Sequence, residues 1–149
     1  MKYVTAQVGR VFAVRWHDTT VEGVAAVKRE AERLHRSLGE ELIYLSVTGD
    51  DCEPPTDEAR RALVASGKEL SDICEHFYLV LEASGFRGST MRSVVAGLML
   101  LSKMRGKIEV CASVDEVLGR LRTVPGVSES AVRSALQQGG VIAGHARSS

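Results

Sequence analysis

Phe77-Tyr-Leu-Val-Leu81, a turn at Gly85-Phe-Arg-Gly-Ser-Thr90, an apolar run from Met91 to Met104, Lys107-Ile-Glu-Val-Cys111 and Ser113-Val-Asp-Glu-Val-Leu118 follow one another in the sequence, and this order decides the fold class. The first and fourth pieces are short and rich in β-formers, so they read as strands. The apolar run spans a length and spacing that suit a helix, and Ser89 or Thr90 can cap it. Its apolar residues cover most of the circumference, as expected of a helix that is well buried or sits at an interface. Ser113 with Glu116 forms a capping box for a closing helix whose inner face is Val114, Val117, Leu118 and Leu121. Strand, helix, strand, helix in this order favours neighbouring parallel strands with right-handed crossovers.

The same rhythm extends towards the N-terminus. Tyr3 to Val8 and Val11 to Trp16 read as two strands joined at Gly9-Arg10, an antiparallel hairpin. Thr19 is expected to cap the next helix, with Glu22 as its capping-box partner. Val24, Val27, Ala31, Leu34 and Leu38 form that helix's inner face, and Gly39 ends it. Leu42 to Val47 is almost wholly apolar, the mark of a strand covered on both faces. A polar loop follows, Gly49-Asp-Asp-Cys-Glu-Pro-Pro55, and Thr56-Asp-Glu58 opens a second helix with a hydroxyl cap and two acids at the positive end of its dipole. The expectation is an α/β fold: a mixed sheet of about five strands and about four helices in the order β-β-α-β-α-β-α-β-α. Residues 1–123 are expected to form this domain. Residues 124–149 are expected to be an appendix, with a short helix from Ser128 to Gln138 and a frayed tail from Gly139.

Bulk properties narrow the function. Lys plus Arg and Asp plus Glu balance at 19 each, so no global basic field draws nucleic acid or an anionic membrane. No run approaches the roughly 20 apolar residues of a membrane helix. The three cysteines, Cys52, Cys74 and Cys111, are an odd set without Cys-x-x-Cys spacing, which suits a reducing compartment and hence the cytoplasm. Cys74 and His76, joined by His17 and Cys52, do not meet zinc spacing, and Cys111 reads as core. No Gly-x-Ser-x-Gly elbow, dinucleotide fingerprint or P-loop is present, so no catalytic residue, cofactor or metal is assigned.

Over residues 3–122 the element order and the closing Ser113-Val-Asp-Glu-Val-Leu118 helix resemble the STAS domain, the fold of bacterial anti-sigma-factor antagonists and of cytoplasmic parts of some anion transporters. Gly85-Phe86-Arg87 and Arg92-Ser93-Val94-Val95 look most like a segment of uncharacterised bacterial STAS-like proteins. The resemblance implies a non-catalytic regulatory or protein-interaction module whose partner is a kinase or an anti-sigma-type regulator. It also implies a phosphorylatable hydroxyl between the third strand and the second helix. Here that region is Gly49 to Thr56, where a longer acidic loop with Pro54-Pro55 replaces the family's short Asp-Ser-Ser/Gly pattern. Thr56 is the best-placed phosphoacceptor and Thr48 the second. Asp50, Asp51, Asp57 and Glu58 are the candidate partner contacts.

Each of these residues also has a plainer role. Thr56 is a preferred helix cap on local grounds alone, and an acidic loop is by default a solvated turn. Trp16, at a strand end, reads as a lid on the core or as part of a contact patch. The alternative function is a small-ligand or anion-binding protein, or an enzyme, using the Gly85–Thr90 turn. There Arg87, Gly88, Ser89 and Thr90 would meet an anion at a helix N-terminus. The C-terminal segment is a candidate homodimer contact.

Overall fold

The computed structural model describes residues 2–82 and 108–143 of the chain. The described strands are β1 (Tyr3–Val8), β2 (Val11–Trp16), β3 (Leu42–Thr48), β4 (Cys74–Leu81) and β5 (Ile108–Cys111). The described helices are α1 (Val21–Leu38), α2 (Asp57–Ser71), α3 (Val114–Leu121) and α4 (Glu129–Gln138). The expected helix from Met91 to Met104 lies outside the described residues, as does the turn carrying Arg87, Gly88, Ser89 and Thr90.

The sheet is mixed and its strands lie in chain order, β1 to β5. β1 pairs antiparallel with β2, and Gly9 at φ 55° lets the chain reverse between Val8 and Val11. The remaining pairs, β2 to β3, β3 to β4 and β4 to β5, are parallel. β4 begins at Cys74, earlier than the apolar run from Phe77 shows, because Leu42 already pairs with Cys74.

Side chains alternate across each strand, and both faces are covered. Phe12, Val14, Trp16, Leu42, Tyr44 and Phe77 pack with Val24, Val27 and Ala31 of α1 and Leu70 of α2. Val11, Ala13, Ile43, Leu45, Val47 and Tyr78 pack on the other side with Val117, Leu118 and Leu121 of α3 and Val132 and Leu136 of α4. Helix pairs on two faces of one sheet make three layers. This explains why β3 carries no polar face: Leu42, Ile43, Leu45 and Val47 are all fully buried.

The residues after Pro125, read from the sequence as an appendix, contribute Val132, Leu136 and Val141 to the second core. α4 lies against β1 at the far end of the sheet from β5. The approach is close: a Cβ on Gly139 would stand 2.8 Å from Ala6 Cβ and 2.9 Å from the Thr5 carbonyl oxygen. The Val141 amide then donates to the Leu136 carbonyl at 2.9 Å, closing the turn after α4. Gly139 to Ala143, expected to fray, is therefore held at its start by this packing.

Two helix caps differ in detail from the sequence reading. Thr20, not Thr19, caps α1: its side chain accepts from the Gly23 amide at 3.0 Å. Glu22 consequently sits one position too early to complete a capping box. Gly39 ends α1 as expected, at φ 69°. Ser113 caps α3 through the Glu116 amide at 3.1 Å, and Glu116 reaches back to the Ala112 amide at 3.1 Å.

Candidate functional site

In a parallel sheet the loops that leave the carboxyl ends of the strands converge, and here those ends are Trp16, Thr48, Leu81 and Cys111. The loop after β3 is the longest described connection at that edge. It turns at once, with the Cys52 amide donating to the Gly49 carbonyl at 3.2 Å. Gly49 lies close to the ends of two side chains: a Cβ would meet Arg15 Nη1 at 2.8 Å and Asp51 Oδ1 at 3.1 Å. Cys52 is buried, with its sulfur 3.9 Å from Thr19 Oγ1.

Asp51 ties the loop to the end of β2. His17 Nδ1 donates to Asp51 Oδ2 at 2.9 Å. This hydrogen bond holds the Asp51 carboxyl below the usual carboxylate range. Sequence reasoning grouped His17 with cysteines, but Cys74 and His76 open β4 at the opposite end of the strands. Among the described residues, no three His, Cys, Asp or Glu side chains converge as a metal site requires.

Thr56 stands exposed at the N-cap of α2. Its Oγ1 accepts from the Ala59 amide at 3.2 Å, and its extended backbone (φ −64°, ψ 166°) presents the residue outside the helix. Asp50, Asp51, Glu53, Asp57 and Glu58 are all exposed around it. The first cation along α2, Arg60, contacts Asp57. Thr48 is a poorer acceptor site: it is half-buried as the last residue of β3, and its carbonyl accepts from the Glu82 amide at 2.9 Å. Thr56 and these five acids are thus all exposed, while Thr48 belongs to the sheet.

A second cluster at the same edge escaped the sequence reading. Arg15 Nη2 lies 2.9 Å from Glu82 Oε1, and Arg15 Nε donates to the Val141 carbonyl. The only signal was one charged residue in the otherwise apolar Val11-Phe-Ala-Val-Arg-Trp16. Arg15 thereby links β2, the end of β4 and the turn after α4. Beside it Glu82, Ser113, Asp115, Arg133 and Gln137, with Ile142 and Ala143, line a cavity of about 280 Å³. Arg133 is already shared between Asp115 at 3.0 Å and Glu129 at 3.1 Å.

Trp16 takes the lid role. It is buried, stacks at a tilt on Tyr3 with ring centroids 5.6 Å apart, and donates its indole N–H to Ser46 Oγ at 3.1 Å. Cys111 is buried as well, and burial pushes its thiol up to about 11, which keeps it protonated and unreactive at neutral pH.

No protein-family model, curated protein or solved structure matches this chain. No described helix is long and apolar enough to cross a membrane.

Proposed function

We propose that this protein is a non-catalytic, cytoplasmic regulatory module of STAS type that binds a protein partner through the acidic loop Gly49–Thr56 and the first turn of α2, with Thr56 as its phosphoacceptor. The observation that carries this reading is the exposure of Thr56 at a helix N-terminus among five exposed carboxylates. A phosphate there adds roughly 1.5 to 2 negative charges. It would meet the open amides of the first turn, which favours it locally. It would also deepen the negative potential of Asp50, Asp51, Glu53, Asp57 and Glu58, so a partner matched to the unmodified face would be repelled or re-oriented. Asp50, Asp51, Asp57 and Glu58 are the contacts that read this change, and the partner is a kinase or an anti-sigma-type regulator.

The test is affinity capture from the native cell with wild type, Thr56→Ala and Thr56→Asp, followed by phosphopeptide mapping. A partner lost or gained with Thr56→Asp, together with phosphate on Thr56, supports the proposal. An identical captured set for all three proteins and no phosphate on Thr56 would overturn it.

A second reading, a small-anion binder, is favoured by the cavity of about 280 Å³ beside Glu82 and Ser113 at the carboxyl edge of the sheet. Against it, Glu82 and Asp115 line the cavity, and its cation Arg133 already serves two carboxylates. A thermal-shift series with inorganic phosphate and sulfate decides it: no upward shift at millimolar anion removes this reading.

A further inference from the structure

β1 forms one border of the sheet: among the described residues it pairs with β2 alone. The ladder with β2 fixes which of its backbone groups are used. Val8 and Val11 flank the two-residue turn, and from there bonded and non-bonded pairs alternate along the hairpin. Val8, Ala6 and Val4 therefore point their amides and carbonyls at β2, while Gln7, Thr5 and Tyr3 point theirs outward. The Lys2 carbonyl, next in the inward set, accepts from the His17 amide at 2.8 Å, as this phase requires. Among the described residues, no backbone hydrogen bond from another element reaches Tyr3, Thr5 or Gln7.

A sheet that ends in a bare edge usually guards it with a charge, a proline, a bulge or a covering element. Tyr3-Val-Thr-Ala-Gln-Val8 holds no charged residue and no proline, and its register with β2 runs without a bulge. α4 lies beside this edge, but its two charged side chains turn the other way. Arg133 pairs with Asp115 of α3, and Glu129 pairs with Arg122 just past α3. α4 comes up to the edge at Gly139, which has no side chain to stand before the Thr5 carbonyl: a Cβ there would lie 2.9 Å from that oxygen. On the other face Thr5 Oγ1 reaches Glu30 of α1 at 3.4 Å. β1 is thus a regular, uncharged edge with the amides and carbonyls of Tyr3, Thr5 and Gln7 directed outward.

We propose that this edge pairs with the same edge of a second copy, antiparallel about a two-fold axis at Thr5, so that the two sheets join into one. The residue pattern is self-complementary in that register. Thr5 faces Thr5 of the second copy, Tyr3 faces its Gln7 and Val4 faces its Ala6, so like chemistry meets on each face of the joined sheet. Each outward residue then exchanges both backbone bonds with its opposite number. A two-fold axis sets a patch against itself, and the lack of charge on β1 lets one copy accept another without repulsion. This surface includes none of Gly49–Thr56, and its test does not depend on that assignment.

The experiment is analytical ultracentrifugation of the intact protein from micromolar to millimolar concentration, with amide hydrogen exchange followed by NMR on the same samples. The expected species is a dimer that dissociates on dilution, with the Thr5 and Gln7 amides losing protection as it does. Thr5→Pro removes an outward donor and no bond to β2, a change that an edge strand tolerates. It should weaken the dimer about tenfold or more. Thr5→Lys sets two like charges opposite each other and should weaken it as well. Circular dichroism of each variant checks that the fold is intact. A chain that sediments as a monomer throughout overturns the proposal, and protected Thr5 and Gln7 amides in that monomer would mean that another segment holds the edge. A dimer whose Thr5 and Gln7 amides exchange as fast as in the monomer overturns it too. So does a dimer left undiminished in folded Thr5→Pro and Thr5→Lys variants, which would place the contact elsewhere.

Discussion

Asp51 shows how one contact can tie a loop to a sheet. Its carboxyl is held low by the hydrogen bond from His17, and both groups lie near the surface. A carboxyl whose folded pKa lies below its unfolded value, about 3.9, stabilises the fold at higher pH. That contribution is lost as pH falls from the unfolded pKa through the folded one. The expected window is therefore acidic, below about pH 4, and solvent screening keeps the effect small. Replacing His17 with Ala should return the Asp51 titration, followed by carbon-detected NMR, to the ordinary carboxylate range. An unchanged Asp51 titration would show that His17 is not the cause. Gly49 and Gly139 make a useful contrast at the same scale. A methyl group on Gly49 meets the far end of the Arg15 side chain, which can swing away. A methyl group on Gly139 meets the Thr5 carbonyl and Ala6 Cβ, which cannot. Gly139→Ala should cost about 1–3 kcal/mol, read as a drop in the urea midpoint. Gly49→Ala should cost clearly less. Equal effects would mean that α4 shifts freely on β1.

At the scale of elements, the caps separate stability from signalling. Thr56→Ala removes the acceptor that serves the Ala59 amide and should destabilise α2 by about 1 kcal/mol. Thr56→Asp keeps an acceptor at the N-cap, so its thermal midpoint should stay near that of wild type. A change in partner binding by Thr56→Asp at unchanged stability would then belong to charge rather than to loss of the helix start. If Thr56→Asp melts as low as Thr56→Ala, the cap geometry does not tolerate a carboxylate among its acidic neighbours. The caps also show what local sequence can and cannot tell. Gly39 and Ser113 were legible because each has a single suitable residue at the helix boundary. Thr19 and Thr20 are adjacent and chemically equivalent as caps. Gly23, whose amide Thr20 caps, lies close to Trp16 and Tyr3, a tertiary neighbourhood that no local pattern records.

At the scale of the whole molecule, the sheet needs both pairs of helices. Leu136 of α4 is 1% exposed and belongs to the core that includes Ile43, Leu45 and Val80. Leu136→Ala should cost about 2–5 kcal/mol. The single tryptophan, Trp16, lies in the opposite core and is an independent reporter. If the three layers unfold together, Leu136→Ala lowers the midpoint seen by Trp16 fluorescence as much as that seen by circular dichroism. A fluorescence midpoint that does not move would mean that residues 124–143 unfold separately, as an appendix would. Among the described residues, the alternation of strand and helix, the hairpin, the Gly39 stop and the doubly apolar β3 were all determined by the sequence alone. They rest on side-chain period, backbone freedom and hydrophobicity, which act over a few residues. Only the tertiary structure decided that α4 closes the second face, that Arg15 joins Glu82 and Val141, and that Gly139 lies against Thr5 and Ala6. Those juxtapositions bring together residues up to 126 positions apart, and no local pattern records which distant strand or helix a side chain will meet.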